Sequence, residues 1–500
     1  MSAAIKVYRN IVANFIGKGT GALASFLFIP SYIKLLGIEA YALIGFFIIL
    51  TNLFVPFDAA LGSSLNREMS RLSAQNAKPE EMRNLLRTLE WIYWPVACFL
   101  GLAILIGSKF IVSYWITPNA LSVQNVQQSI FLMGLALIFQ WPISLYNSGL
   151  AGLQKQVTLN SIQTVFVFLR YGGAFLILTF LSPTVQAFFL WQLIISAIHS
   201  VFMAIYLWCL LPKSAVSASF GLGYLKQCRN FVAGMGILSI LTIILMNCDK
   251  LILSKILPLE QFGYYSLAAT AANGLYLFIT PVFSAFFPRF SELVALGEKE
   301  KLKQVYYNGS KLLATIVFPL AFTIAFFSQE MLLIWTKNAA LSEVSYPILG
   351  LLILGTACNG LMNLPFALQL SYGWTKLAVI QNIVSVILLC PAFYYLAERF
   401  GAIGAASMWL IHNLGCIVFI LPIIHRKLLN GGLVKWYSQA VLPPLIIAFL
   451  VTYAAKMVFT FPVVPFEQFF VIIGVFIFGI LATTFFMYQA QPWLKSKLLS

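Results

Sequence analysis

Apolar runs of about twenty residues recur along the whole chain, each broken by a short polar segment. A run of that length is what a helix needs to cross roughly 30 Å of hydrocarbon. Fourteen spans are predicted, at 10–33, 40–63, 89–108, 129–151, 158–181, 185–211, 230–256, 262–287, 310–330, 346–369, 375–396, 402–424, 438–459 and 466–488. The two longest connections, Asn66 to Thr88 and Pro288 to Gly309, are basic and of mixed charge, and neither has room for a catalytic domain. The predicted fold is an all-α polytopic membrane protein of about 14 transmembrane helices.

Composition agrees with that pattern. The 500 residues are 61% hydrophobic and 9% charged, against roughly 25% charged in soluble domains. The net charge of +16 could suggest nucleic acid, but the basic residues lie mostly between spans, where they orient the chain. With both termini cytoplasmic, inner segments and the span ends beside them hold 22 of the 31 Lys and Arg residues and outer ones 6, leaving Lys18, Arg170 and Lys250 deeper within spans. That bias is the positive-inside pattern, and no nucleic-acid partner is expected. The start, "MSAAIKVYRN", lacks a cleavable signal, so the first apolar run is expected to remain as a span. The seven cysteines show no metal spacing and read as small packing residues.

The chain also carries an internal echo. Residues 29–39, "IPSYIKLLGIE", overlay 250–260, "KLILSKILPLE", at an offset of 221, bringing Lys34 onto Lys255, Leu36 onto Leu257 and Glu39 onto Glu260. An even number of spans separates the copies, which predicts parallel repeats. The simplest organisation is an N-lobe of spans 1–6 (1–211), a cytoplasmic linker (212–229), a C-lobe of spans 7–12 (230–430) and two additional spans (431–500). Two six-helix lobes around a central cavity are expected. Prolines at 30, 56, 142, 281, 319, 365 and 391 interrupt spans and predict kinks, although Pro is common in any transmembrane helix.

A charge at the bilayer centre costs on the order of 3 kcal/mol on insertion scales, so each needs a partner or a wet cavity. In the first span Asn14 and Lys18 share a polar stripe. In the second, Thr51, Asp58 and Gly62 share a face; in the fifth, Asn160, Gln163, Thr164 and Arg170 group together. In the seventh, Asn247 and Lys250 lie on one stripe with Asp249 at its edge. The resulting cavity would be mainly cationic and suited to an anion. Lys18, Arg170, Lys250, Asn14, Gln163 and Asn247 are the candidate substrate-binding residues, with Asp58 and Asp249 as coupling groups or counter-ions. Lys18 and Lys250 could instead snorkel to an interface, and Asp58 could simply pair with Lys18. His199 and His412 read as helix contacts rather than proton relays. No P-loop, GxSxG, HExxH or DxD signal stands in a plausible context, so no enzyme activity, cofactor or metal is expected.

Three stretches carry a family resemblance: "FIPSYIKLLGIEAYALIGFFIILTNLFVPFDAALGSSLNREMSRL" (28–72), "GLQKQVTLNSIQTV" (152–165) and "NCDKLILSKILPLEQFGYYSLAATA" (247–271). They resemble the Wzx-type polysaccharide (O-antigen) flippases of the MATE-like exporter superfamily. The resemblance implies a bundle of two six-helix lobes that moves undecaprenyl-pyrophosphate-linked oligosaccharide across the bacterial inner membrane by alternating access. Polymerase and chain-length proteins of the same surface-polysaccharide route are the partners it implies. A cation-coupled multidrug exporter of that superfamily, or a membrane polysaccharide polymerase, stands as the alternative.

Overall fold

The computed structural model describes residues 19–21, 23, 24, 26–55, 58–75, 78–221, 223, 244, 245, 247–458 and 465–489. Among these residues every regular element is helical. Eleven helices among the described residues are long and apolar enough to cross a membrane. The protein is a multi-pass membrane protein.

The eleven differ from the fourteen expected spans at three places. The second span is a 15-residue helix, Ile38–Asn52, followed by an irregular turn and a π-helical segment, Asp58–Gly62, so it is not one continuous rod. The seventh lies mostly outside the described residues. The eleventh and twelfth run together through 376–428, but Gly401 within that stretch has φ 59°, a left-handed conformation that breaks the helix between the two predicted spans.

The apolar surface is turned outward, as expected when lipid is the solvent. Along Pro79–Tyr114, Phe99, Ile106 and Phe110 are more than 60% exposed, while Leu85, Leu86, Leu89 and Ala97 are buried. Close packing is made by small residues: the Gly101 and Gly134 backbones meet so tightly that a Cβ on either would fall 2.9 Å from the other's carbonyl oxygen.

The chain forms two compact units, Met1–Gly263 and Tyr264–Ser500. Their helix breaks repeat at the offset read from the sequence. Unit 1 turns at Leu53–Phe54 and again at Trp141; unit 2 turns at Gly274–Leu275 and at Met362, each 221 residues later. Proline explains one of these breaks directly. Pro142 occupies the first turn of Pro142–Gly152, where a missing N–H costs nothing, and its ring keeps Val123–Gln140 from continuing.

Two buried carboxylates in unit 1, Glu39 and Glu90, are satisfied by fixed donors. Glu39 accepts the backbone N–H groups of Asn119, Ala120 and Leu121 at 2.7–2.9 Å, pinning the loop that leads into Val123–Gln140. Glu90 accepts from Trp208 Nε1 at 2.8 Å, Tyr146 Oη at 3.1 Å and Arg87 at 2.9 Å. Both are structural, since their hydrogen bonds compensate their burial.

Candidate functional site

Four polar pairs in unit 1, each with a spacing of seven residues, converge on one place: Thr51 and Asp58, Gln140 and Asn147, Gln163 and Arg170, Gln192 and His199. Seven residues are almost two helical turns, so within a regular helix each pair shares a face. Seven of the eight line a partly open cavity of about 290 Å³ inside unit 1; Gln192 stands behind it, bonded to Arg170.

Arg170 lies on Gln156–Phe180. Its Nη1 donates to Gln140 Oε1 at 3.1 Å and to Gln192 Oε1 at 3.3 Å. Among the described residues it forms no ion pair with a carboxylate. Two neutral amides hold its position and leave its charge uncancelled. Almost two turns earlier on the same helix, Gln163 Nε2 donates to Asn147 Oδ1 at 2.7 Å, ordering a second amide pair on the same wall.

Asp58 lines the same cavity but is held separately. Trp141 Nε1 donates to its Oδ1 at 2.8 Å and Ser144 Oγ at 2.5 Å. The indole is fixed by Tyr93, stacked at 4.6 Å between ring centroids, and by Phe54 at 5.1 Å. The break at Trp141 and the π-helical segment at Asp58 bring donor and acceptor together, and such irregular backbone in a span belongs where it lines a cavity. The site thus holds one cation and one anion that do not pair with each other. His199 completes the wall, stacked flat on Phe166 with centroids 3.9 Å apart.

Of the remaining predicted residues, the described ones lie elsewhere. Asn14 and Lys18 fall outside the described residues, as does any pairing of Asp58 with Lys18. Asn247 accepts from Asn52 Nδ2 at 3.1 Å, tying the described end of the seventh span to the second. Asp249 is buried and Lys250 half-buried; neither is among the residues lining the cavity. Lys250 forms no ion pair with Asp249 or any other described carboxylate. Asn160 turns its amide back onto the Gln156 carbonyl at 2.7 Å. Reading the stripes singly missed Gln140, Asn147, Gln192, Trp141 and Ser144. The seven-residue spacing, common to four predicted spans, was the available signal.

Comparison with known proteins bears on this arrangement. A family described as polysaccharide biosynthesis protein matches residues 34–338. The chain belongs to that family. The match takes in all three motif stretches apart from residues 28–33, and the resemblance to Wzx-type flippases holds. The "Putative O-antigen transporter" of Shigella flexneri is 23% identical over 408 residues, covering 81% of this chain and 95% of that one. Among solved structures, the lipid II flippase MurJ in an inward closed conformation aligns with a TM-score of 0.74 at 14% identity, covering 97% of this chain and 99% of its own. An inward-facing MATE family multidrug transporter of the MOP superfamily gives a TM-score of 0.59 at 14% identity, over 85% of this chain and 95% of its own. The family member therefore has the fold of the MOP-superfamily transporters.

Proposed function

We propose that this protein is a flippase that carries undecaprenyl-pyrophosphate-linked oligosaccharide repeat units from the cytoplasmic to the outer leaflet of the bacterial inner membrane, by alternating access, for O-antigen or another surface polysaccharide. The observation that carries the reading is Arg170: a guanidinium in a membrane-embedded cavity, positioned by amides and neutralised by no described carboxylate. Desolvating a permanent charge is costly, and a cavity that leaves it unpaired is arranged for an anion to complete it. A diphosphate offers paired oxygens to a planar fork of donors. The amides of Gln163 and Asn147 and the Phe166–His199 face suit the hydroxyls and apolar faces of sugars. Family membership and the Shigella relative's described role support the same substrate class.

In this reading Arg170 is the principal head-group ligand and Gln163 supplies a neutral contact, while Lys250 and Asn247, which do not line this cavity, and Asn14 and Lys18 meet the substrate elsewhere on its path. Asp58, held by an indole and a hydroxyl rather than by a cation, is available as a coupling group. Asp58 is also the one observation favouring cation-coupled drug export, since that activity relies on an embedded carboxylate. The two readings diverge in a deletion strain lacking a redundant flippase. The flippase reading expects lipid-linked repeat units to accumulate on the cytoplasmic side and surface polysaccharide to disappear. Normal polysaccharide, with raised sensitivity to cationic drugs instead, would reject it in favour of export.

A further inference from the structure

A second polar cavity lies wholly within unit 2 and takes no part in the site around Arg170. It has a volume of about 630 Å³ and sits between the first turns of Lys299–Phe326, the loop 429–432 and the start of the following span. Gln304, Asn308 and Lys311 face it from one stripe of the helix, three to four residues apart, together with Lys303; Lys435 and Gln439 face it from the other side. Lys301 and Glu300 also contribute to its wall.

Its charges are unequal. Lys303 pairs with Glu300 at 2.8 Å, and Lys301 with Glu298 at 2.8 Å. Lys311 and Lys435 form no ion pair among the described residues. Lys311 is only 7% exposed, and its Nζ donates to the Met487 carbonyl at 3.0 Å. An ammonium has three donors, so one carbonyl leaves a buried cation with two to spare at the cavity wall. Lys435 Nζ lies over the Tyr307 ring, 5.2 Å from its centroid.

The cavity wall is built rather than incidental. Asn430, Gly431 and Gly432 take φ of 51°, 109° and 79° in succession, a left-handed run that folds the loop back over the helix. Tyr307 Oη donates to the Gly432 carbonyl at 3.0 Å, and Gly431 N–H donates to the His425 carbonyl at 3.1 Å. A Cβ at Gly432 would lie 2.0 Å from Tyr307 Oη, so only glycine fits that approach.

We propose that this cavity binds a phosphate group, carried by the head group of an acidic phospholipid of the cytoplasmic leaflet. Three features select that chemistry. The free donors are ammonium and amide groups, the donor set that takes phosphate oxygens. The positive-inside bias of the sequence places this end of the helices on the cytoplasmic side, and basic pockets between spans on that side are where acidic head groups bind. Leu429 and Ala440 give one wall an apolar surface on which the head group's glycerol can rest.

The test uses the full-length protein in nanodiscs of phosphatidylcholine, with or without phosphatidylglycerol. Bound lipid is counted by native mass spectrometry and thermal unfolding is followed in parallel. Wild type is expected to retain phosphatidylglycerol over phosphatidylcholine and to unfold at higher temperature when it is present. The double variant Lys303→Gln/Lys435→Gln, which changes two lysines outside the packed interior, should retain it roughly tenfold less well. Lys311→Gln should weaken it too, but only the double variant is needed should Lys311→Gln fail to fold. Inorganic pyrophosphate added to phosphatidylcholine nanodiscs is the second arm. A stabilisation by pyrophosphate alone that the double variant loses, with no preference for phosphatidylglycerol, would keep the phosphate site and overturn the lipid as its source. Equal behaviour of wild type and double variant in both arms would overturn the site itself. Arg170→Ala should retain phosphatidylglycerol as wild type does, which keeps this result separate from the fate of the flippase reading.

Discussion

In unit 1 the helix break at Trp141 surrounds a charged pair of residues, Arg170 and Asp58, each held by neutral partners. In unit 2 the break at Met362 surrounds a neutral chain: Tyr276 Oη donates to Asn359 Oδ1 at 2.7 Å, and Asn359 Nδ2 donates to Asn413 Oδ1 at 2.9 Å. At the 221-residue offset Asn413 stands where unit 1 has Gln192, so an amide persists at that position. The charges and their donors do not. Arg170 falls on Pro391, Asp58 on Ile279, Trp141 on Met362 and Ser144 on Pro365. Asp58 and its two donors, together with Arg170, are exchanged for residues without a side-chain hydrogen-bond donor. Unit 2 shows that the broken-helix scaffold closes with neutral groups alone, so the charges of unit 1 are not needed to build it.

The largest effect is expected from Arg170→Ala. Removing one member of a desolvated, hydrogen-bonded charge contact costs about 2–5 kcal/mol, enough to abolish surface polysaccharide in a complementation assay while membrane protein levels stay normal. Arg170→Lys should restore a fraction, because a point charge replaces the fork without its geometry. Full activity of Arg170→Ala would mean the guanidinium is as dispensable as unit 2 suggests for the scaffold. The reverse transplant, Ile279→Asp, should be the most damaging to folding. Ile279 is 0% exposed, and unit 2 offers neither the indole nor the hydroxyl that hold Asp58. An unpartnered carboxylate there should cost about 3 kcal/mol or more, read as lost protein in the membrane. Normal levels would show that the donors around Asp58 are incidental.

A smaller effect is expected from Asp58→Asn. The amide oxygen can still accept from Trp141 and Ser144, so stability should fall by only about 1 kcal/mol, the difference between a charge-assisted and a neutral hydrogen bond. Transport should fall more than stability does, because the negative charge is gone from the cavity. A thermal unfolding curve beside the complementation assay separates the two, and equal losses would reduce Asp58 to a packing residue.

Much of this was legible in the residues. The apolar runs give the spans, and the short match of 29–39 to 250–260 anticipates an offset that the helix breaks at Leu53–Phe54 and Gly274–Leu275 repeat. Asp58, Gln163 and Arg170 stood out because a charge, or a stripe containing one, is costly in hydrocarbon. Gln140, Asn147 and Gln192 did not, since a lone amide in a span finds partners cheaply and carries little signal by itself. Trp141 is a further case: its apolar ring hides a donor whose use depends on the break beside it. The basic cavity of unit 2 depends on three successive left-handed residues, and the sequence "NGG" marks a turn without saying which lysines it will face.

The smallest effect on transport, and the one that bears most directly on the contrast, is that of Asn413→Ala. Asn413 is 1% exposed, and its Oδ1 is the acceptor for Asn359 Nδ2. Truncation leaves that donor unsatisfied, which should lower stability by about 1–3 kcal/mol. Tyr276 keeps its own acceptor on Asn359, so the rest of the chain survives. Replacing both amides, as Asn359→Leu/Asn413→Leu, should cost less than the two single losses added together, because Asn359 Nδ2 and Asn413 Oδ1 leave as a pair and only Tyr276 Oη loses its acceptor. Surface polysaccharide should stay at the wild-type level in Asn413→Ala throughout. Were transport instead lost as completely as in Arg170→Ala, at unchanged thermal stability, the neutral chain of unit 2 would be a working part of the transport site, and the division between a charged helix break that binds and a neutral one that closes would fall.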